Sequence, residues 1–256
     1  MKDLSQMNCV WKSGAQCLKL LKAIQHTNKM VNVLFDEHGV HIMSMDMSKT
    51  SLVKLQIKPG IFETYRCDTP LVIGLYSEIL VNVIQKVKKN KLIWSARDNE
   101  ALIVTFVDNT QKTEFKLRTI QIDDDQLDVP DLDDDVALRV PRDVLQDWMD
   151  KLLLTKGDVQ FCVTQTQFWA GSESTELGTV GCSEPIGTER VVCEHHRNDV
   201  KLTLSNYATK SMIVFSSTGS EECFIGLSNN QPSRIKMSLG PDSYICLYVA
   251  PKITDD

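Results

Sequence analysis

The chain has 256 residues, 42% hydrophobic and 24% charged, with a formal net charge of −6 at pH 7. That composition excludes a disordered chain and suits two domains of roughly 100–150 residues. Net acidity argues against a generic nucleic-acid binder. The first nine residues show no apolar run after a basic start, and no apolar stretch nears the roughly 20 residues that span a bilayer, so a soluble intracellular protein is expected.

Along the chain, Cys17, Leu20, Leu21 and Ile24 share one face of a predicted helix, while Lys19, Lys22 and His26 share the other. Strand-like segments follow at 31–35, 39–45 and 51–57, with a turn at Asp36-Glu37-His38-Gly39. Ser77 is placed to cap a second helix whose apolar face is Ile79, Leu80, Val83, Ile84 and Val87. Strands are predicted at 91–95, 102–107 and 113–117, then at 136–140. After Pro141, the positions Val144, Leu145, Trp148, Met149, Leu152 and Leu153 repeat helical spacing. The remaining segments read as strands at 159–164, 189–193, 200–204, 223–227, 234–239 and 244–249, with a helix near 205–212.

The order of elements therefore repeats: a short strand, a helix, a run of strands, a second helix and more strands in each half. Between the halves, the acidic stretch 119–135 with Pro130 suits a linker exposed to water. One-sided helices with many strands give the expected class, α+β.

Eight cysteines are scattered without a CxxC pair and read as small, mostly buried hydrophobes of a reducing compartment. Cys182, Cys193, His195 and His196 are zinc-ligand types, but their spacing has no paired arrangement, and strand geometry sends the two histidines to opposite faces. The aspartates of 123–125 and 133–135 lack the glycine and glutamate placement of an EF-hand loop, and no catalytic or phosphate-loop motif appears. No metal and no cofactor is expected, and no enzymatic activity. A metal-dependent nuclease built on the aspartates stays a rival reading.

Charge is segregated. Four lysines and no acid fall between Lys12 and Lys29, four more between Lys86 and Lys91, and eight aspartates with no base between Asp123 and Asp135. Separate basic and acidic faces let an acidic molecule attract phosphate on one side.

The segment 39–55, GVHIMSMDMSKTSLVKL, and, beyond it, Tyr65-Arg66-Cys67-Asp68 resemble the proliferating cell nuclear antigen (PCNA) family of DNA sliding clamps. The linker sequence Gln126-Leu127-Asp128-Val129-Pro130 resembles the family's interdomain connector, and Tyr248-Val249-Ala250-Pro251-Lys252-Ile253 its C-terminal tail. The resemblance implies two similar clamp domains, 1–118 and 136–256, joined by a connector at 119–135. It implies a closed ring of three identical subunits with helices lining the inner face and β-sheets outside. The edge near 110–117 would pair with the edge near 173–181 of the next subunit; the alternative is that these are ordinary edge strands of a monomer.

Such a clamp would hold double-stranded DNA without reading its sequence, through mobile lysines. The expected DNA-facing residues are Lys19, Lys22, Lys86, Lys88, Lys89, Lys112, Lys151, Lys156 and Lys210; the alternative for each is a solvated surface. Leu18, Gln25, Asn82, Gln85, Asp147 and Asp150 depart from the usual basic positions. Polymerase and other partners would dock a short helical peptide in an apolar groove built from Met45, Lys49, Leu52, Leu127, Val129, Pro130, Pro232, Tyr248, Ala250 and Pro251, although Leu52 also suits a core position. Lys49 and Asp134 depart from the family there, and Thr164-Gln165 stand where relatives carry a modifiable lysine. A clamp loader, a nuclear or viral replication compartment and no membrane partner complete the implied picture. A subunit of a heteromeric checkpoint clamp, or a viral processivity factor that forms no ring, is the alternative.

Overall fold

The computed structural model describes residues 5–86, 91–108, 111–122, 129, 132–229 and 231–252. Its first half runs β1 (Met7–Trp11), α1 (Gly14–Thr27), β2 (Met30–Asp36), β3 (Gly39–Met45), β4 (Ser51–Ile57), β5 (Phe62–Cys67), β6 (Leu71–Tyr76), α2 (Ser77–Gln85), β7 (Lys91–Ala96), β8 (Ala101–Val107) and β9 (Lys112–Arg118). The second half repeats that order: β10 (Val136–Pro141), α3 (Arg142–Leu152), β11 (Val159–Val163), β12 (Gln167–Ser174), β13 (Gly178–Pro185), β14 (Val192–His196), β15 (Val200–Leu204), α4 (Asn206–Ser216), β16 (Glu222–Leu227), β17 (Ser233–Gly240) and β18 (Ser243–Val249). Two compact units result. The first contains Met1–Met47, Val53–Asp128 and Leu239–Ile245; the second contains Ser48–Leu52, Val129–Ser238 and Cys246–Asp256.

In the first unit an antiparallel sheet has the order β5-β1-β7-β8-β9, and β3-β2-β6 are hydrogen-bonded neighbours. Alternation sets the burial: Val31, Val33 and Phe35 of β2 point into the core, while Asn32 and Leu34 lie on the more open face. Trp94 anchors this core, with Trp11 edge-on at 5.1 Å and Phe35 at 6.4 Å. α1 covers it with Cys17, Leu20, Leu21, Ala23 and Ile24, and Ser13 caps the helix by accepting from the Gln16 N–H. Gly39 closes the β2–β3 turn at φ 127°, where a Cβ would collide with the Ile57 carbonyl.

In the second unit the strand order is β14-β10-β16-β17 in one group and β13-β12-β11-β15 in a four-stranded sheet. Phe161, Phe168 and Phe215 are fully buried, and Trp148 of α3 stacks on Phe168 at 4.8 Å. Ser205 caps α4 by accepting from the Ala208 N–H.

Several sequence expectations shift. Ser77 is the first residue of α2 rather than its cap; its hydroxyl donates to the Asn28 carbonyl. The buried side of α2 is Ser77, Leu80, Val81 and Ile84, so Ile79 lies exposed, and Val87 is outside the described residues. The strand placed at 189–193 begins at Val192, because a turn with Gly187 at φ 87° occupies 186–190. β5, β6 and β12 are further strands. Only Cys9, Cys17, Cys223 and Cys246 are buried; Cys67, Cys162, Cys182 and Cys193 are half-buried, and all eight are free thiols. Among the described residues no helix is long and apolar enough to cross a membrane.

Candidate functional site

The helices present two different polar faces. On α1 the outward positions are Ala15, Lys19 and Lys22, with half-buried Gln25 and His26 beside them. No acid lies on that helix, and no hydrogen bond or ion pair among the described residues engages Lys19 or Lys22. Their ammonium groups stand in solvent, where a phosphate can reach them. On α3 the exposed positions are Asp143, Asp147, Asp150 and Lys151. Lys151 is bound to Asp147 at 2.6 Å, an i,i+4 pair that holds its ammonium above the ordinary lysine range.

The other candidate lysines scatter. Lys86 is exposed at the C-terminal end of α2, Lys210 is exposed on α4, and Lys156 is exposed in the left-handed conformation, φ 58°, after α3. Lys112 sits on β9, the outermost strand of its sheet, paired with Glu114 at 3.0 Å. Lys88 and Lys89 lie outside the described residues.

For the docking groove, the second unit brings the 48–52 segment beside the chain's tail: the Ala250 N–H donates to the Thr50 carbonyl at 2.8 Å. The tail is tied further on, where Lys252 donates through its N–H to Thr203 O at 2.8 Å and through Nζ to Asp158 at 2.6 Å. Leu52 is buried, whereas Val129, Tyr248 and Pro251 are half-buried and Pro232 and Ala250 are exposed. Lys49 is exposed at φ 57°, the left-handed turn that sends 48–52 into β4. Met45, in the first unit, is half-buried at the end of β3. Leu127 and Pro130 lie outside the described residues.

Two positioning groups escaped the sequence reading. Asn28, just past α1, donates through Nδ2 to Ser44 Oγ and to the Met45 carbonyl, both at 2.8 Å, and so holds the end of β3. An asparagine closing a helix was the available signal. The second is the run Asp133-Asp134-Asp135, expected as solvated linker. Asp134 is buried, its side chain 1% exposed, and takes the Arg234 guanidinium on one carboxylate oxygen, with Nε at 2.9 Å. Arg234 in turn lies 5.2 Å over the Phe224 ring. Burial pushes the Asp134 carboxyl up and Arg234 pulls it back. Asp133 pairs with Arg197, while Asp135 accepts from Asn198 Nδ2 at 2.8 Å and from the Asn229 N–H at 3.2 Å. The Asn198 amide holds Asp135 below the usual carboxylate range. These carboxylates fasten the chain into the second unit, and His195 Nε2 lies 2.8 Å from the Asp134 carbonyl oxygen.

One order of nine strands and two helices, run twice with an acidic stretch between, defines a two-domain clamp-fold protein. Residues 7–127 match the family described as proliferating cell nuclear antigen, N-terminal domain. The chain is 24% identical to the proliferating cell nuclear antigen of Chaetomium thermophilum, covering 93% of this chain and 95% of that protein. It is 26% identical to a probable DNA polymerase sliding clamp of Paramecium bursaria Chlorella virus 1, over 98% of this chain and 93% of the viral protein. The crystal structure of the Entamoeba histolytica antigen superposes with a TM-score of 0.88 at 17% identity, covering 97% of this chain and 100% of that one. Taken together, the family match over the first half, the full-length relatives and the shared fold support a divergent clamp of the PCNA family.

Proposed function

We propose that this chain is a DNA sliding clamp, a processivity factor that surrounds duplex DNA as a homotrimer and tethers a polymerase and other DNA-processing proteins to it. The exposed lysine pair Lys19 and Lys22 on an acid-free helix carries the reading: weak, mobile phosphate contacts suit a ring that must slide. Retention is topological, so no contact needs to be strong, and tethering raises the partner's local concentration at the template. The protein acts as a scaffold, without catalysis of its own.

Support for association comes from two strand edges. β9 ends one sheet and β13 ends another. Exposed Lys112, Lys116 and Arg118 outnumber Glu114 on β9, while exposed Glu173 and Glu176 belong to the β12–β13 hairpin. Basic charge on the β9 edge and acidic charge on the hairpin bearing the β13 edge favour head-to-tail pairing between copies, which forms a ring where its rotation closes. The division 1–118, 119–135 and 136–256, the peptide groove on Met45, Leu52, Leu127, Val129, Pro130, Pro232, Tyr248, Ala250 and Pro251, a separate clamp loader, and a nuclear or viral replication compartment belong to the same proposal. A clamp-fold subunit that does not surround DNA alone is the second reading; the aspartates of α3 favour it.

Loading onto nicked circular and linear DNA separates the two. A sliding ring of three times the 28.9 kDa chain is retained on the circle and runs off the linear ends. Equal loss from both substrates, or a single copy by light scattering, overturns the proposal.

A further inference from the structure

Ala15, Lys19, Lys22 and His26 of α1 follow a four-three-four spacing that places them on one stripe of the helix. In the second half, Asp143, Asp147, Asp150 and Leu154 follow the same spacing at the same place in the repeated order. The first three belong to α3, and Leu154, 67% exposed, belongs to the helical turn after it. Both stripes face away from their own cores: α1 buries Cys17, Leu20, Leu21 and Ile24, and α3 buries Val144, Leu145, Trp148, Met149 and Leu152. The repeat therefore sets an aspartate at each place where the first half has a lysine. Lys151 is at the flank of the acidic stripe and is taken by Asp147. Asp150 has no such partner among the described residues.

We propose that the hold on DNA is one-sided: Lys19 and Lys22 draw phosphate in, and Asp147 and Asp150 of α3 push it away, so the acidic stripe loosens the clamp's grip. This rests on the sliding-clamp reading, in which both stripes meet DNA. A ring of three would carry basic and acidic stripes in alternation. Each aspartate opposes a phosphate and removes no bound counterion, so it lowers affinity without adding to the salt-dependent attraction.

Anisotropy of the full-length protein on a fluorescein-labelled duplex of about 30 base pairs, titrated at several salt concentrations, tests this. Asp150→Asn breaks no ion pair and is the first variant; Asp147→Asn with Asp150→Asn is the second. Light scattering checks that each keeps the parent's mass. Tighter binding at low salt, roughly threefold or more for the double variant, together with weaker binding and a salt slope smaller by about 0.9 per lysine for Lys19→Ala with Lys22→Ala, supports the one-sided hold. If the lysine variant loses binding and neither aspartate variant gains, the repulsion is overturned while the clamp reading stands. If the aspartate variants gain and the lysine variant loses nothing, the assignment of the grip to α1 is overturned. If neither set changes binding, both the grip on α1 and the repulsion on α3 are overturned, while retention on nicked circular DNA separately decides the clamp reading.

Discussion

Asp134 shows how much a single residue can owe to its tertiary neighbour. Its carboxylate is buried, and its counter-charge is Arg234, a hundred positions along the chain. Leaving a buried carboxylate without its cation costs about 3 kcal/mol near neutral pH. Arg234→Met is therefore expected to destabilise the protein by about that amount, read from urea unfolding at pH 7. The sign with pH follows from burial, which raises the folded carboxyl above its unfolded value. Without Arg234 that rise grows, so the deficit opens as pH climbs from the unfolded value of 3.8 and closes as pH is brought back down. A deficit independent of pH would mean that Arg234 acts through its packing on Phe224 and not through charge.

At the scale of elements, the edges β9 and β13 matter most. An exposed edge invites pairing; β9 carries Lys112, Lys116 and Arg118, and the hairpin that leads into β13 carries Glu173 on β12 and Glu176 in its turn. Reversing Lys116 and Arg118 together to glutamate is expected to weaken self-association by about tenfold or more, seen as a fall in mass on dilution. Adding Glu173→Lys and Glu176→Lys to the same chain restores it if the two edges meet. α1 illustrates legibility at this scale. Its buried side was visible in the spacing of Cys17, Leu20, Leu21 and Ile24, since the helical period alone decides which residues share a face. α2 was misread because Ile79 looks like core; the helix instead turns Val81 inward, and only the surface it packs on determines that.

Across the whole molecule, eight thiols respond to burial in two classes. Cys9, Cys17, Cys223 and Cys246 are buried, and desolvation pushes their thiols up, to about 11 for Cys246 and about 12 for Cys223. They are expected to stay silent to a thiol reagent in the native state, while Cys67, Cys162, Cys182 and Cys193 react. Because the folded values exceed the ordinary 9.0, the unfolded chain loses its protons first. Stability is then full below about pH 9 and falls as pH rises through the folded values, which thermal unfolding between pH 8 and about 11 measures. Reaction of all eight thiols at equal rates without denaturant would contradict this core.

The sequence by itself determined what depends on near neighbours: the strand alternation, the buried side of α1 and the repeated order of elements. Residues 39–68 with the connector and tail motifs also carried the family resemblance, because each is one continuous segment of the chain. Only the tertiary structure decided what depends on distant partners. The aspartates of 133–135, which read as solvated linker, become fasteners because Arg197, Arg234, Asn198 and Asn229 come to meet them. Half of the cysteines lie partly in the open because strand faces, not local hydrophobicity, set their burial. Solvation of a charge depends on what folds against it, and spacing along a chain does not contain that.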